Sequence, residues 1–154
     1  MRETEERKRA EMAAPNMPVV LLVEDEEVVR EITGRVLENA GYHVLEARSA
    51  SAALRLAAQH AEFDLLLTDV VMPEMNGIEL ADRISTFKPD LVTVFMSGYA
   101  ERDMQRKIAE RSAVHIQKPF TISLLLSRVA EALGAKPSPD SGAAGSANTK
   151  YQPN

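Results

Sequence analysis

Short runs of apolar residues alternate with longer segments in which apolar residues recur every three or four positions. Three of the runs are nearly continuous, VVLLV at 19–23, FDLLLT at 63–68 and LVTVFM at 91–96. Such runs are typical of parallel strands that are covered on both faces. YHVLEA at 42–47 and AVHIQ at 113–117 are shorter candidates. The pattern therefore predicts five strands with room for a helix after each.

Helical spacing and capping residues predict those helices. The first segment keeps the spacing up to Gly41, a residue type favoured at helix C-termini, through Val28, Val29, Ile32, Val36 and Ala40. Residues that cap free backbone N–H groups predict three further helices. They run from Ser49 or Ser51 to about His60, from Asn76 to a point before Pro89, and from Thr121 to Leu133. The segment from Ala100 to Arg111 is less regular, with Met104 and Ile108 as its core residues.

Five strands interleaved with five helices predict an α/β fold of the (βα)5 type. Because crossovers between parallel strands are right-handed, this order favours an open, doubly wound sheet with helices on both faces. In such sheets, ligands bind in the crevice at the carboxyl ends of the strands. The functional residues are therefore expected at that edge.

Polar residues lie at the carboxyl ends of four predicted strands. Glu24 and Asp25 follow the first strand, Asp69 ends the third, Ser97 the fourth and Lys118 the fifth. Three crowded carboxylates repel one another unless a cation joins them, and Mg²⁺ needs only a couple of carboxylates, a carbonyl and waters. A metal, an ammonium and a hydroxyl around one carboxylate are the groups that hold a phosphoryl group in line. The pattern predicts Asp69 as the nucleophile.

Each of these residues also has a structural explanation when it is taken alone. Acidic residues such as Glu24 and Asp25 stabilise the positive end of a helix. Asp69 is explained as a strand terminus, Ser97 as a turn residue and Lys118 as a solvated lysine. Their joint placement at four strand ends is what favours the functional interpretation.

Composition restricts the class of protein. The chain has 154 residues, of which 45% are apolar, and no uninterrupted apolar run of membrane-spanning length, which predicts one soluble domain. The absence of cysteine excludes disulfides, cysteine-ligated zinc and thiol catalysis, and it suits a reducing compartment, with the cytoplasm as the default. The N-terminus lacks the apolar run of a secretion signal. A net charge of −5 argues against a nucleic-acid-binding surface.

The chain divides into three parts by composition. Residues 1–17 form an arm with equal numbers of acidic and basic residues, in which a helix could extend up to Pro15. Residues 135–154 are rich in proline, glycine, serine and alanine, which predicts a flexible tail. The folded domain is expected at residues 18–134.

Four of the segments described above resemble the receiver domain of two-component response regulators. They are LLVEDE at 21–26, DLLLTDVVMPEMNG at 64–77, FMSGYA at 95–100 and QKPF at 117–120, in the order and spacing of that family. The amino-acid sequences of several segments are similar to those in receivers of hybrid histidine kinases. The resemblance covers roughly residues 18–134 and implies a flavodoxin-like fold with strand order 2-1-3-4-5, for which a receiver protein is itself a standard example.

The resemblance also implies a role for each matching residue. Asp69 corresponds to the phosphorylated aspartate, and Asp25, Asp69 and the backbone carbonyl of Val71 to the ligands of Mg²⁺. Glu24 is expected to act on the metal through a water. Ser97 is expected to bond the phosphoryl group and switch position, and Lys118 to pair with that group. A cis bond is expected between Lys118 and Pro119.

Three positions depart from the family or vary within it. Receivers carry an aromatic switch residue where this chain has His115, which is either an imidazole on an edge strand or a switch whose charge tunes the equilibrium near neutral pH. Val71 and Tyr99 occupy places where side chains govern the access of water to the phosphoryl group, or they simply pack over the loop. Neither side chain activates water, so slow autodephosphorylation is expected.

The resemblance implies a phosphoacceptor that is no enzyme beyond its own phosphorylation and dephosphorylation. The expected partners are a histidine kinase or a histidine phosphotransfer protein and a downstream protein, with a homodimer possible through the fourth helix, fifth strand and fifth helix. Three settings are open: a free-standing regulator, a relay receiver, or a terminal receiver of a hybrid kinase. The alternative is an interaction module that is never phosphorylated. An aspartate-nucleophile phosphatase is disfavoured, because Val71 stands where it needs a second acid.

Overall fold

The computed structural model describes residues 17–59, 62–98, 102–111 and 113–134. Five strands alternate with five helices along this part of the chain. The strands are β1 Val19–Val23, β2 His43–Ala47, β3 Leu65–Asp69, β4 Thr93–Ser97 and β5 Val114–Gln117. The helices are α1 Glu27–Asn39, α2 Ala50–Gln59, α3 Gly77–Ser85, α4 Arg102–Glu110 and α5 Ile122–Leu133. The (βα)5 prediction is confirmed.

The strands form one parallel sheet in the order β2-β1-β3-β4-β5. Side chains alternate between its faces, so that Leu21 packs on one side and Leu22 on the other. The core on the first side includes Leu56 of α2, Leu80 of α3 and Ile108 of α4. The core on the second side is closed by α1 and α5. The predicted doubly wound architecture and its strand order are therefore confirmed.

Local capping signals place several helix ends where the sequence predicts them. The Asn76 side chain accepts a hydrogen bond from the Glu79 N–H at 2.8 Å, and the Thr121 hydroxyl accepts one from the Leu124 N–H at 3.0 Å. Ser49, one of the two candidates for α2, accepts from the Ala52 N–H at 3.1 Å. These short-range bonds satisfy N–H groups that have no partner within the helix.

The sequence predicts α1 correctly but not its buried face. Val28 and Ile32 are 66% and 58% exposed, whereas Thr33, Gly34 and Leu37 face the sheet. Helical periodicity shows which residues share a stripe, but the packing of the helix decides which stripe is covered. Two branched apolar side chains one turn apart consequently lie on the surface of α1.

The predicted arm at 1–17 and tail at 135–154 lie almost entirely outside the described residues, as does Tyr99. None of the helices in the described ranges combines the length and the apolar character needed to cross a membrane.

Candidate functional site

The carboxyl ends of four neighbouring strands bring the predicted polar residues to one edge of the sheet. Glu24 follows β1 directly, Asp69 is the last residue of β3 and Ser97 is the last residue of β4. Lys118 follows β5, and its N–H donates to the Ser97 carbonyl at 2.8 Å. Parallel pairing of β1 with β3, β3 with β4 and β4 with β5 therefore assembles the site from segments that are far apart in sequence.

Lys118 connects two carboxylates at the centre of this edge. Its Nζ donates to Glu24 Oε1 at 2.9 Å and to Asp69 Oδ2 at 3.2 Å. Glu24 is fully buried, and its other carboxylate oxygen accepts from the Glu26 N–H at 3.2 Å. One ammonium is thus shared by two carboxylates that are buried or nearly buried. The cluster of Glu24, Asp69 and Lys118 therefore carries more negative than positive charge when both acids are ionised. The peptide bond between Lys118 and Pro119 is cis, as the resemblance implies.

Glu24, Asp25 and Asp69 form a cluster of oxygen ligands. One carboxylate oxygen from each lies within 4.8 Å of the others, and Asp25 is exposed while the other two are buried. Hard divalent cations such as Mg²⁺ prefer oxygen ligands and retain several waters, which the open side at Asp25 permits. The residues present therefore fit the metal that the resemblance implies.

The pKa of Asp69 is raised by burial and by the neighbouring carboxylates. Burial, Glu24 and Asp25 together raise the pKa of Asp69 to about 7, and Lys118 acts in the opposite direction. Burial alone would lower the pKa of Lys118, but its bonds and charge interactions with Glu24 and Asp69 leave it raised. Lys118 therefore remains an ammonium at neutral pH, while Asp69 is only partly ionised there, and a further cation would favour its ionised form.

The loop after Asp69 is held close to it by a glycine. A Cβ added to Gly77 would lie 2.3 Å from the Asp69 carbonyl oxygen, so only glycine allows α3 to begin here. The Gly77 N–H donates to the Val70 carbonyl at 2.8 Å, and the Thr68 hydroxyl donates to the Asp69 carbonyl at 2.9 Å. These contacts fix the backbone on both sides of Asp69. Val71, whose carbonyl is the predicted metal ligand, lies in this loop with 49% of its surface exposed.

Ser97 is bonded to His115 in this structure. Ser97 Oγ and His115 Nε2 are 2.6 Å apart, and Ser97 is fully buried. The next residue, Gly98, is held from α4, since Gln105 Nε2 donates to its carbonyl at 2.9 Å. The sequence identifies Ser97 and His115 separately, but it does not predict the bond between them, which arises from the register of β4 against β5.

The fold and the site define the class. The family model for the response regulator receiver domain matches residues 20–130, and the chain belongs to that family. Receiver domains are generally signalling modules rather than enzymes.

Individual relatives show how this domain is used elsewhere. The chain is 42% identical to the response regulator receiver protein CpdR of Brucella abortus, over 76% of this chain and 98% of that protein. It is 40% identical to the sensor kinase CckA of the same organism, over 74% of this chain but only 12% of the kinase. A solved CheY-like receiver from Methanospirillum hungatei is 28% identical, with a TM-score of 0.70 over 77% of this chain and 95% of that one.

Proposed function

We propose that this chain receives a phosphoryl group on Asp69 in a reaction that requires Mg²⁺. The proposal is carried by one observation: the Lys118 ammonium lies between Glu24 and Asp69, and Asp69 still has a pKa of about 7. Such a site favours a divalent cation, because the cation would supply the missing positive charge. Asp25, Asp69 and the Val71 carbonyl would hold the metal, with Glu24 acting through a coordinated water.

The chemistry assigned to Asp69 is a single displacement at phosphorus. A carboxylate oxygen of Asp69 forms a bond to the phosphorus of a phosphohistidine donor as the phosphorus–nitrogen bond breaks, and the leaving imidazole nitrogen takes up a proton. The metal, when bound, neutralises charge on the phosphoryl oxygens. Lys118 neutralises charge on the same group, and the Ser97 hydroxyl donates a hydrogen bond to it. Hydrolysis of the resulting acyl phosphate returns the protein to its starting state.

The proposed receiver comprises residues 18–134, flanked by the arm at 1–17 and the tail at 135–154. A free-standing regulator is the preferred setting, supported by the match to nearly the whole of CpdR. The match to a small part of CckA supports a terminal receiver of a hybrid kinase as the second setting. A cytoplasmic location is also proposed, and the cysteine-free sequence suits it.

The proposed partners are a histidine kinase or histidine phosphotransfer protein and a downstream protein target. Val28 and Ile32 on α1 support a docking surface, since both are exposed and branched apolar residues. Ile122, 60% exposed, begins α5 on the same side of the sheet. Val28 and Ile122 lie in the first turns of α1 and α5, which follow the strand ends at Glu24 and Lys118, where a phosphohistidine would approach Asp69. A homodimer through α4, β5 and α5 remains a further proposal.

The test is the intact mass after incubation with acetyl phosphate at pH 8, with and without Mg²⁺. We expect the wild type to gain one phosphoryl group only when Mg²⁺ is present, and Asp69→Asn to gain none. Asp90→Asn, which removes a carboxylate on the surface, is the matched control and should behave as the wild type. Following the loss of the adduct after removal of acetyl phosphate measures autodephosphorylation, which Val71 is expected to keep slow.

A wild type that gains no mass, with rapid hydrolysis excluded by short time points, would contradict the proposal. That result would favour the alternative of an interaction module that keeps the fold without being phosphorylated.

Ser97 and His115 are proposed to form the switch. When the Ser97 hydroxyl donates to a phosphoryl oxygen, its oxygen can keep a bond to His115 only if Nε2 carries a proton. Phosphorylation therefore changes the hydrogen bond at β5, and removal of the imidazole breaks the side-chain bond between Ser97 and that strand. In His115→Ala, we expect phosphorylation to remain but the accompanying amide NMR shifts in β5 to fall to less than about half of those in the wild type.

Gln117→Ala is the control for this experiment, because Gln117 lies on the same strand and its side chain is not the one bonded to Ser97. Shifts in His115→Ala as large as those in the wild type would remove the switching role of His115.

A further inference from the structure

Arg30 connects α1 to the backbone of the acidic cluster. Its Nη1 donates to the Glu24 carbonyl at 2.9 Å, and its Nε lies 3.7 Å from Glu46 Oε1 on β2. The Arg30 side chain is only 14% exposed, so the guanidinium is held between the strand and the helix rather than in solvent. Arg30 is not among the residues that the resemblance assigns to the site.

Close packing of α1 on β2 makes this contact possible. Gly34, one turn after Arg30, faces Glu46, and a Cβ at that position would lie 2.5 Å from Glu46 Oε2. A larger residue at 34 would push α1 or Glu46 away and increase the distance from Arg30 to the Glu24 carbonyl. Glu46 in turn supplies the opposite charge that a largely buried guanidinium needs.

The bonded carbonyl belongs to the peptide group that joins Glu24 to Asp25. The orientation of that peptide plane sets the backbone angles on both sides and so the directions of both carboxylates. Glu24 is also held through its side chain by Lys118 and by the Glu26 N–H. Asp25 is exposed, and its position therefore depends largely on the backbone.

We propose that Arg30 is a positioning residue that orients the Glu24–Asp25 peptide, so that both carboxylates meet Asp69 at the distances needed to bind Mg²⁺. This inference rests on the proposed function, because it concerns the same metal site. Outer groups that orient metal ligands are known to change affinity by factors of ten or more when they are removed.

Simple electrostatics predicts the opposite change in Mg²⁺ affinity on removal of Arg30, so the direction of the change tests the inference. Removing a positive charge beside an acidic cluster should strengthen the binding of a cation if charge alone matters. Removing a group that orients the ligands should weaken it. Arg30→Met keeps the apolar stem and removes only the guanidinium, so the direction of the change separates the two effects.

The experiment is calorimetric titration of the full chain with MgCl₂ at pH 8. We expect Arg30→Met to bind Mg²⁺ about tenfold more weakly than the wild type. The matched control is Arg35→Met, an exposed arginine on the same helix, which should bind within about twofold of the wild type. At saturating Mg²⁺, labelling of Arg30→Met by acetyl phosphate should return close to the wild-type rate, which general damage to the fold would not allow.

Equal or tighter binding by Arg30→Met would overturn the inference while leaving the proposed function intact. No Mg²⁺ binding by the wild type would overturn the proposed function and this inference with it. If Arg30→Met does not fold, Arg30→Lys replaces it, because it keeps the charge but loses the geometry of the guanidinium. Weaker binding by that folded variant supports the inference, and unchanged binding refutes it.

Discussion

Asp69→Asn is expected to raise the free energy of unfolding by about 2 to 4 kcal/mol at pH 8 without Mg²⁺. Burial, Glu24 and Asp25 raise the pKa of Asp69 from 3.8 to about 7. The ionised carboxylate is therefore much less stable in the folded protein than in the unfolded chain. An amide of the same shape removes that penalty and leaves Lys118 paired with Glu24 at 2.9 Å. The residue proposed to accept the phosphoryl group is thus expected to destabilise the fold.

The raised pKa of Asp69 determines how the stability of the wild type changes with pH. Below about pH 4, Asp69 is protonated in both states and costs no stability. Between pH 4 and pH 7, the unfolded chain loses this proton while the folded protein keeps it, so the wild type loses up to about 1.4 kcal/mol per pH unit. Above pH 7 the penalty is complete. The stability difference between Asp69→Asn and the wild type should therefore grow from pH 4 to pH 7 and then level off.

Urea unfolding followed by circular dichroism across this pH range measures the effect. Asp90→Asn, at a carboxylate whose side chain is 85% exposed, should show no such pH-dependent gain. Mg²⁺ should stabilise the wild type at pH 8 by binding to the folded state, and Asp69→Asn much less. An Asp69→Asn variant that is no more stable than the wild type, or whose gain is the same at pH 4 and pH 8, would show that Asp69 carries no such penalty.

The sequence predicts the features that depend on local signals. The β1 run is confirmed residue for residue, and the caps at Asn76 and Thr121 are found because a capping bond spans only three residues. The convergence of Asp69 and Lys118 is also predictable, because parallel strands align their carboxyl ends.

The remaining features depend on how distant elements face each other. The buried stripe of α1 includes Gly34, which lies close to Glu46, twelve positions away in sequence, and the helical period does not encode this approach. The bond from Arg30 to the Glu24 carbonyl and the bond from Ser97 to His115 depend likewise on side-chain directions. A sequence pattern identifies the residues at such a site but not which of them touch.

Lys118→Met is expected to slow the phosphorylation of Asp69 by acetyl phosphate about a hundredfold at saturating Mg²⁺. Its ammonium is 3.2 Å from Asp69 Oδ2, close enough to stabilise the negative charge that develops on an incoming phosphoryl group. Loss of the ammonium also raises the pKa of Asp69 further, because Lys118 is the group that lowers it. At pH 8 fewer molecules then carry the ionised nucleophile. The initial rate, measured by intact mass, combines both effects.

Two variants separate the role of Lys118 from a general effect of charge. Lys107→Met removes an exposed lysine on α4 and should keep the wild-type rate. Lys118→Arg keeps the charge but changes the geometry, so its rate should fall between those of Lys118→Met and the wild type. Raising the pH should recover only the part of the loss that comes from protonation of Asp69, while the lost stabilisation of the phosphoryl oxygens remains. A wild-type rate in Lys118→Met would mean that the metal alone neutralises the transferred group and that Lys118 serves only to pair with Glu24.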